Sequence, residues 1–452
     1  MHAVLKNQYL VHEILKHLHQ EQKSTSTAFL PLLISNNLKV ARIINRCQYG
    51  AKVTWGYDVA LFMCQLQTSA IQLECFNTNI PLPPSPLNDI TLFTHLRELC
   101  ITFIELAVIT HPDMEQLSQL ENLAVLELSA RQFEFYPDSS PLSFPHLQKL
   151  SITCKLEDAI KLLSLTTFPM LSSLTHQFMA PSQTSAAHWV PFFQALQTSI
   201  PSHTLKELYL LPSRSIHSTL AAPAYSTNMN QGTPFAEFSE YITSFNLTTL
   251  SLTFPLIRSL SMGDLRQMIQ AWPNLTVLQL QTATSSTVKT AALPLIARKL
   301  PKLMTLMLDV DASVIVKPDE RVSRLNHALE RFEIRPVRLG AGVEQVASCA
   351  ILVDGCFPRL EVFWDVGTRG RYWNCEYGYD CGRGNGNGRG GYDERGSRSA
   401  LEAVVRSLKQ ARGFEKGRSE SGGAGDAGDG DEVRMVMVEV RMRVRLGSRR
   451  VL

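Results

Sequence analysis

The chain of 452 residues has no long apolar run, no surplus of one charge and no paired cysteine framework. No stretch of about 18 residues stays apolar, as a membrane-spanning helix requires, so a soluble protein is expected. The opening MHAVLKNQYLVHEILKHLH interrupts its apolar residues with Lys6, Glu13 and Lys16 and offers neither a signal-peptide core nor a cleavage motif. Nine scattered cysteines, an odd number, argue against a disulfide scaffold and for a reduced protein of the cytoplasm or nucleus. The formal net charge is only +3, which excludes the concentrated basic footprint that drives nucleic-acid binding by counterion release. What asymmetry exists is in the tail: residues 367–452 hold 17 Lys+Arg against 12 Asp+Glu, and subtraction from the totals of 44 and 41 leaves 27 against 29 before them.

Catalytic constellations are missing as well. Cys349 and Cys356, or Cys375 and Cys381, lack the Cys-x-x-Cys spacing and second ligand pair of a zinc site. His12, His17 and His19 do not share one helical face and have no acidic partner nearby. The run GRGNGNGRGG has neither a preceding strand nor a following Lys-Ser/Thr, so it is no phosphate loop. These absences predict a protein without catalytic residues, metal or cofactor.

What is present is repetition. Leu-x-x-Leu units recur with first leucines Leu96, Leu123, Leu147, Leu171, Leu205, Leu247, Leu275, Leu303 and Leu360. Successive subtraction gives intervals of 27, 24, 24, 34, 42, 28, 28 and 57 residues, five of them inside the range of about 20–29 that marks leucine-rich repeats. The long intervals predict insertions, or one degenerate repeat near 325–340. In LAVLEL, Leu126 and Leu128 point to one side of a short strand and Glu127 to the other. Three or four buried aliphatics contribute about 5–12 kcal/mol, against roughly 24–48 kcal/mol of backbone entropy for a 24-residue unit, so such a unit folds only by stacking on its neighbours.

Between these strands lie helical patterns. SMGDLRQMIQAWPNL starts at Ser261 or Asp264, spaces Leu265, Met268 and Ile269 helically and stops at Pro273; TAALPLIARKLPKL places Leu293, Ile296 and Leu300 on one side before Pro301. Alternating strand and helix predicts an α/β leucine-rich-repeat solenoid, short parallel strands on its concave face and helices outside, over residues 91–366. Residues 61–90 contain PLPPSPLND and are expected to be a linker. Residues 367–398 are Gly/Arg-rich, and 17 of the 25 glycines lie between Gly367 and Gly430, a composition expected to be disordered. Inside the tail, 399–412 reads as one amphipathic helix on Leu401, Val404, Val405 and Leu408, and 413–452 as a disordered end with a strand-like terminus.

The segments DLRQMIQAWPNLTVLQL, AALPLIARKLPKLMTLMLDVDAS and VRLGAGVEQVASCAILVDGCFPRLEVF resemble the late repeats of fungal F-box proteins with leucine-rich repeats. LVHEILKHL at 10–18 resembles the first helix of an F-box, the module that docks on the Skp adaptor of a cullin-based ubiquitin ligase. The resemblance implies a small helical unit over residues 1–60, with Leu10, Val11, Ile14, Leu15 and Leu18 as the apolar adaptor-binding face and Glu13 at its acidic position. Residues 19–60 depart from the family's pattern, retaining only Ala41–Cys47 and Trp55, so the module is degenerate or truncated. The partners it implies are a Skp-type adaptor, a cullin ligase and a protein substrate of unknown identity.

The strand alternation nominates the substrate face directly. Glu127, Ser151, Tyr209, Ser251, Gln279, Met307, Asp309 and Trp364 sit between inward leucines and are expected to face solvent, with Tyr209 and Trp364 as aromatic anchors. By the same register Leu278 and Leu280 are buried while Gln279 and Gln281 are exposed. Two further readings stand beside a ligase subunit: a repeat scaffold without ligase link, and an RNA-associated protein acting through the Gly/Arg tail, whose Asp380, Asp393 and Glu394 dilute its charge.

Overall fold

The structure, a computed structural model, describes residues 38–43, 64–78, 90–102, 108–136, 139–178, 189–212, 232–282, 288–310, 327–336, 343–358, 360 and 362–363. Twelve strands form one sheet: β1 Val40–Ile43, β2 Cys75–Thr78, β3 Glu98–Thr102, β4 Val125–Ser129, β5 Lys149–Cys154, β6 Ser173–Phe178, β7 Glu207–Pro212, β8 Thr249–Ile257, β9 Val277–Thr282, β10 Thr305–Val310, β11 Arg331–Pro336 and β12 Val362–Phe363. Every pairing is parallel, and the spatial order is the chain order. The architecture is therefore α/β with a large parallel sheet. Parallel neighbours require a crossover between them, which is why each short strand is followed by a longer connecting segment.

One backbone device repeats at ten consecutive steps from Lys39 to Met304: the carbonyl just before a strand accepts two successive N–H groups of the next unit. Ser172 O, for example, accepts from Lys206 N at 2.8 Å and Glu207 N at 3.0 Å. Register is thereby set at the entrance to every strand. It places Leu99, Leu126, Leu150, Leu174, Leu208, Leu250, Leu278 and Leu306 in one buried row. A second row, two residues on, contains Ile101, Leu128, Ile152, His176, Leu210, Leu252 and Leu280. A third holds the leucines that turn in ahead of each strand, from Leu96 to Leu303, all buried. Each fully buried aliphatic contributes about 1.5–3 kcal/mol, and its partners lie on adjacent strands.

Helices close this buried side: α1 His111–Ser118, α2 Leu156–Leu165, α3 Trp189–Ser199, α4 Ser239–Ile242, α5 Met262–Ala271, α6 Ala292–Lys299 and α7 Val343–Cys356. Consecutive helices pack side by side, α2 on α3, α3 on α4, α5 on α6 and α6 on α7. The expected α5 pattern is observed: Ser261 is its N-cap, Asp264 N donates to Ser261 Oγ at 3.1 Å, Ser261 N donates to Asp264 Oδ2 at 2.8 Å, and Leu265, Met268 and Ile269 are buried. At α1 the same box is built by Thr110, whose N–H and hydroxyl both donate to Asp113 Oδ2. No described helix is long and apolar enough to cross a membrane.

The sheet is not confined to the expected range 91–366. Residues 64–69, read as part of a linker, are helical, and β2 follows them in the sheet. There Leu73, Phe76 and Thr78 stand where other units have leucines or isoleucine, so the Leu-x-x-Leu pattern was broken by an aromatic and a hydroxyl. β1 likewise lies inside the segment 1–60, where the F-box resemblance calls for helix. The degenerate repeat expected near 325–340 corresponds to β11, where Leu329 and Phe332 are buried. Residues 367–452, with the expected helix at 399–412, lie outside the described residues, as do residues 1–37.

Candidate recognition face

Register builds the face. Glu127, Ser151, Thr175, Tyr209, Ser251, Gln279 and Met307 are direct partners across six successive strand pairs, a transverse row about 29 Å long at roughly 4.8 Å per strand. Six of the sequence-nominated residues are thus brought into one line. Thr175 completes it between Ser151 and Tyr209, and sequence reasoning passed over it because His176 interrupts the aliphatic alternation of β6. The alternation Leu171-x-x-Leu174 was the signal that could have found it.

Exposure along the row is uneven. Glu127, Ser151, Thr175, Tyr209 and Gln279 are partly exposed, as is Gln281 on the same side of β9, while Leu278 and Leu280 are fully buried. Ser251 and Met307, expected in solvent, are 1% and 5% exposed. The reason for Ser251 is packing between larger neighbours: flanked by Tyr209 and Gln279, it donates its hydroxyl to Gln279 Oε1 at 2.7 Å. Asp309, also expected in solvent, is buried, and its Oδ2 accepts from Thr282 N and Thr282 Oγ1, both at 2.8 Å. It ties the end of β9 to β10 and is a structural group. Trp364 and the adaptor-face residues Leu10, Val11, Glu13, Ile14, Leu15 and Leu18 lie outside the described residues.

The electrostatics of the face are mild. Tyr209 is half-buried; burial, then the neighbouring Glu207 charge, pushes its phenol up, and a hydrogen bond with Thr249 opposes this. Ser173 Oγ donates to Glu207 Oε2 at 2.9 Å two residues earlier on the strands. On β2 burial and Glu98 push the Cys75 thiol up. Hydroxyls, amides, one phenol and isolated carboxylates can hydrogen-bond a polypeptide and stack on it.

On the buried side Cys154 and His176 form a close thiol–imidazole pair, with Sγ 3.6 Å from Nε2. Burial pushes the thiol well above its ordinary value and the imidazole down to about 3, the reverse of what an ion-pair nucleophile requires. Among the described residues no three of His, Cys, Asp and Glu converge closely enough to hold a metal ion. No protein-family model matches the chain, and no curated protein matches it.

Proposed function

We propose that the chain is a non-catalytic substrate-recognition subunit of a cullin-type (SCF) ubiquitin ligase acting in the cytoplasm or nucleus. A leucine-rich-repeat solenoid holds a protein substrate on the concave side of its sheet, and the F-box-like helix at 10–18 holds the Skp-type adaptor. The observation that carries the reading is the row from Glu127 to Gln279, a register-locked line in which Glu127, Ser151, Thr175, Tyr209 and Gln279 are partly exposed. The solenoid is supported by parallel strands in chain order, by the carbonyl step repeated ten times and by leucine rows whose partners come only from adjacent units. The adaptor half rests on the resemblance of LVHEILKHL alone.

Co-purification of the full-length chain with a Skp-type adaptor tests the whole reading. Retention of the adaptor is expected, with loss of at least about tenfold in affinity for Leu15→Ala, since truncating a buried leucine removes about 2–5 kcal/mol. A folded wild-type chain that retains no adaptor overturns the ligase half and leaves a repeat scaffold that binds protein on the same face. That second reading is favoured by one observation: Val40–Ile43 is a strand of the sheet where a complete F-box would be helical.

A further inference from the structure

In the second buried row the strands flanking β6 present Ile152 and Leu210, and β6 presents His176. The imidazole is fully buried. Phe178 meets it edge-on at 4.4 Å, Phe192 of α3 lies nearly parallel to it at 5.7 Å, and Cys154 Sγ is 3.6 Å from Nε2. Its Nδ1 has no hydrogen-bond partner, an expense of folding that the aliphatic residues of the same row do not incur. His327 shows the contrast: Leu329 N donates to Nδ1 at 3.0 Å, which makes Nε2 the protonated nitrogen, and Nε2 donates to Leu300 O at 2.7 Å.

Burial opposes an imidazolium at His176, and what the surroundings offer it is a hydrogen bond with the Cys154 backbone, which does not make up for the lost water. From β5 comes Cys154, held neutral by burial. From β7 comes Leu210, and α3, WVPFFQALQTS, contains no ionisable residue. On α2 Asp158 and Glu157 act on the Cys154 thiol; Asp158 Oδ2 accepts from Phe133 N at 3.2 Å, and Glu157 is exposed, as are Lys161 and the N-cap residue Lys155. A proton is therefore taken up far more readily when the ring reaches water. α3 is held over the ring by its packing on α2, by aromatic contacts, Trp189 on Phe178 at 4.9 Å and Phe193 on Phe238 at 4.7 Å, by the bond from Gln194 Nε2 to Tyr241 OH at 2.9 Å, and at its last residue by Ser199 O, which accepts from Phe168 N at 2.9 Å. The one backbone bond among these is at the C-terminal end of α3, and Phe168 lies outside the strands of the large sheet.

We propose that the joint between β6 and α3 is an acid-release point: on acidification His176 is protonated as α3 lifts from the sheet, uncovering the aromatic cluster of Phe178, Trp189 and Phe192 while the strands stay paired. The device is independent of the ligase reading. The sign follows from linkage. The folded imidazole titrates near 3 and the free one near 6.5, so the closed joint is at full strength above about 6.5 and is lost as pH falls toward 3, opening growing about tenfold per pH unit.

Cys154 reports the opening because its buried thiol lies against the His176 ring, 3.6 Å from Nε2. Full-length protein is labelled with 4,4′-dithiodipyridine, which reacts in acid, and each cysteine is read by mass spectrometry as pH is lowered from about 7 to about 4. Cys154 labelling is expected to accelerate steeply below about 6.5, well ahead of the fully buried Cys356 of α7. In His176→Leu the acceleration should vanish; His176→Met serves if the leucine variant does not fold. Simultaneous exposure of Cys154 and Cys356, no acceleration before global unfolding, or an unchanged acid response in a folded His176 variant overturns the proposal.

Discussion

Two stretches of the same sheet solve the same packing problem differently. Between Leu247 and Val310 the units recur every 28 residues, and their inward rows are wholly aliphatic. Polar groups buried there have partners: Trp272 Nε1 donates to Phe245 O at 3.0 Å, and Asp309 takes two bonds from Thr282. Between Phe168 and Pro212 the interval stretches to 34 residues, the core is aromatic, and an imidazole replaces an aliphatic side chain with one nitrogen unsatisfied. The comparison teaches that a regular interval goes with interchangeable leucines, because an identical gap is filled by an identical side chain. An inserted longer connection brings larger side chains that must be fitted to each other.

The largest expected effects test that contrast. Phe192→Ala, which removes a ring that contacts His176, Trp189 and Phe193, should lower stability by about 3–5 kcal/mol, and Leu280→Ala by about 2–5 kcal/mol, both measured by urea unfolding. If the aromatic region is the less cooperative one, Phe192→Ala will also lower the denaturant slope while Leu280→Ala leaves it unchanged. An equal change of slope in both breaks the distinction.

Next in size is the clamp at the end of β9. Asp309→Ala leaves Thr282 N and its hydroxyl without this acceptor and should cost about 1–3 kcal/mol; Asp309→Asn, which keeps an amide oxygen, should cost less. A neutral Asp309→Ala in a thermal melt would return that residue to the recognition face.

Smaller still is a split between two glutamines that the strand alternation treats alike. Gln279→Ala deprives buried Ser251 of its acceptor and should cost about 0.5–1.5 kcal/mol, whereas Gln281→Ala should stay within about 0.5 kcal/mol. Equal stabilities would mean that the Ser251–Gln279 bond contributes nothing. The smallest effect belongs to Glu127→Gln on the open part of the row, expected within about 0.5 kcal/mol by calorimetry. A larger loss would make Glu127 part of the fold rather than of its surface.

Much of this architecture was legible. Leu-x-x-Leu-x-Leu encodes an inward turn followed by a two-residue alternation, and both are local properties of a strand, so the leucines from Leu96 to Leu303 and the side to which Glu127, Tyr209 and Gln279 point follow from spacing alone. The α5 cap was legible for the same reason, since Ser261 and Asp264 bond within one turn. Units that use other residues at the leucine positions were not: β2 relies on Phe76 and Thr78, and β1 on four residues, VARI, too few to show a period.

Only the tertiary structure decided which outward residues see solvent and which buried polar groups are satisfied. Ser251, Met307 and Asp309 have the same alternation phase as Glu127, yet differ from it because burial depends on the side chains of adjacent strands, some 28 residues away in sequence. His176 could be placed inward by its phase, but its missing partner at Nδ1 and the ring of α3 lying over it come from a helix 16 residues further on. Periodicity fixes the direction of a side chain from its own segment, whereas its neighbours are chosen by how segments stack.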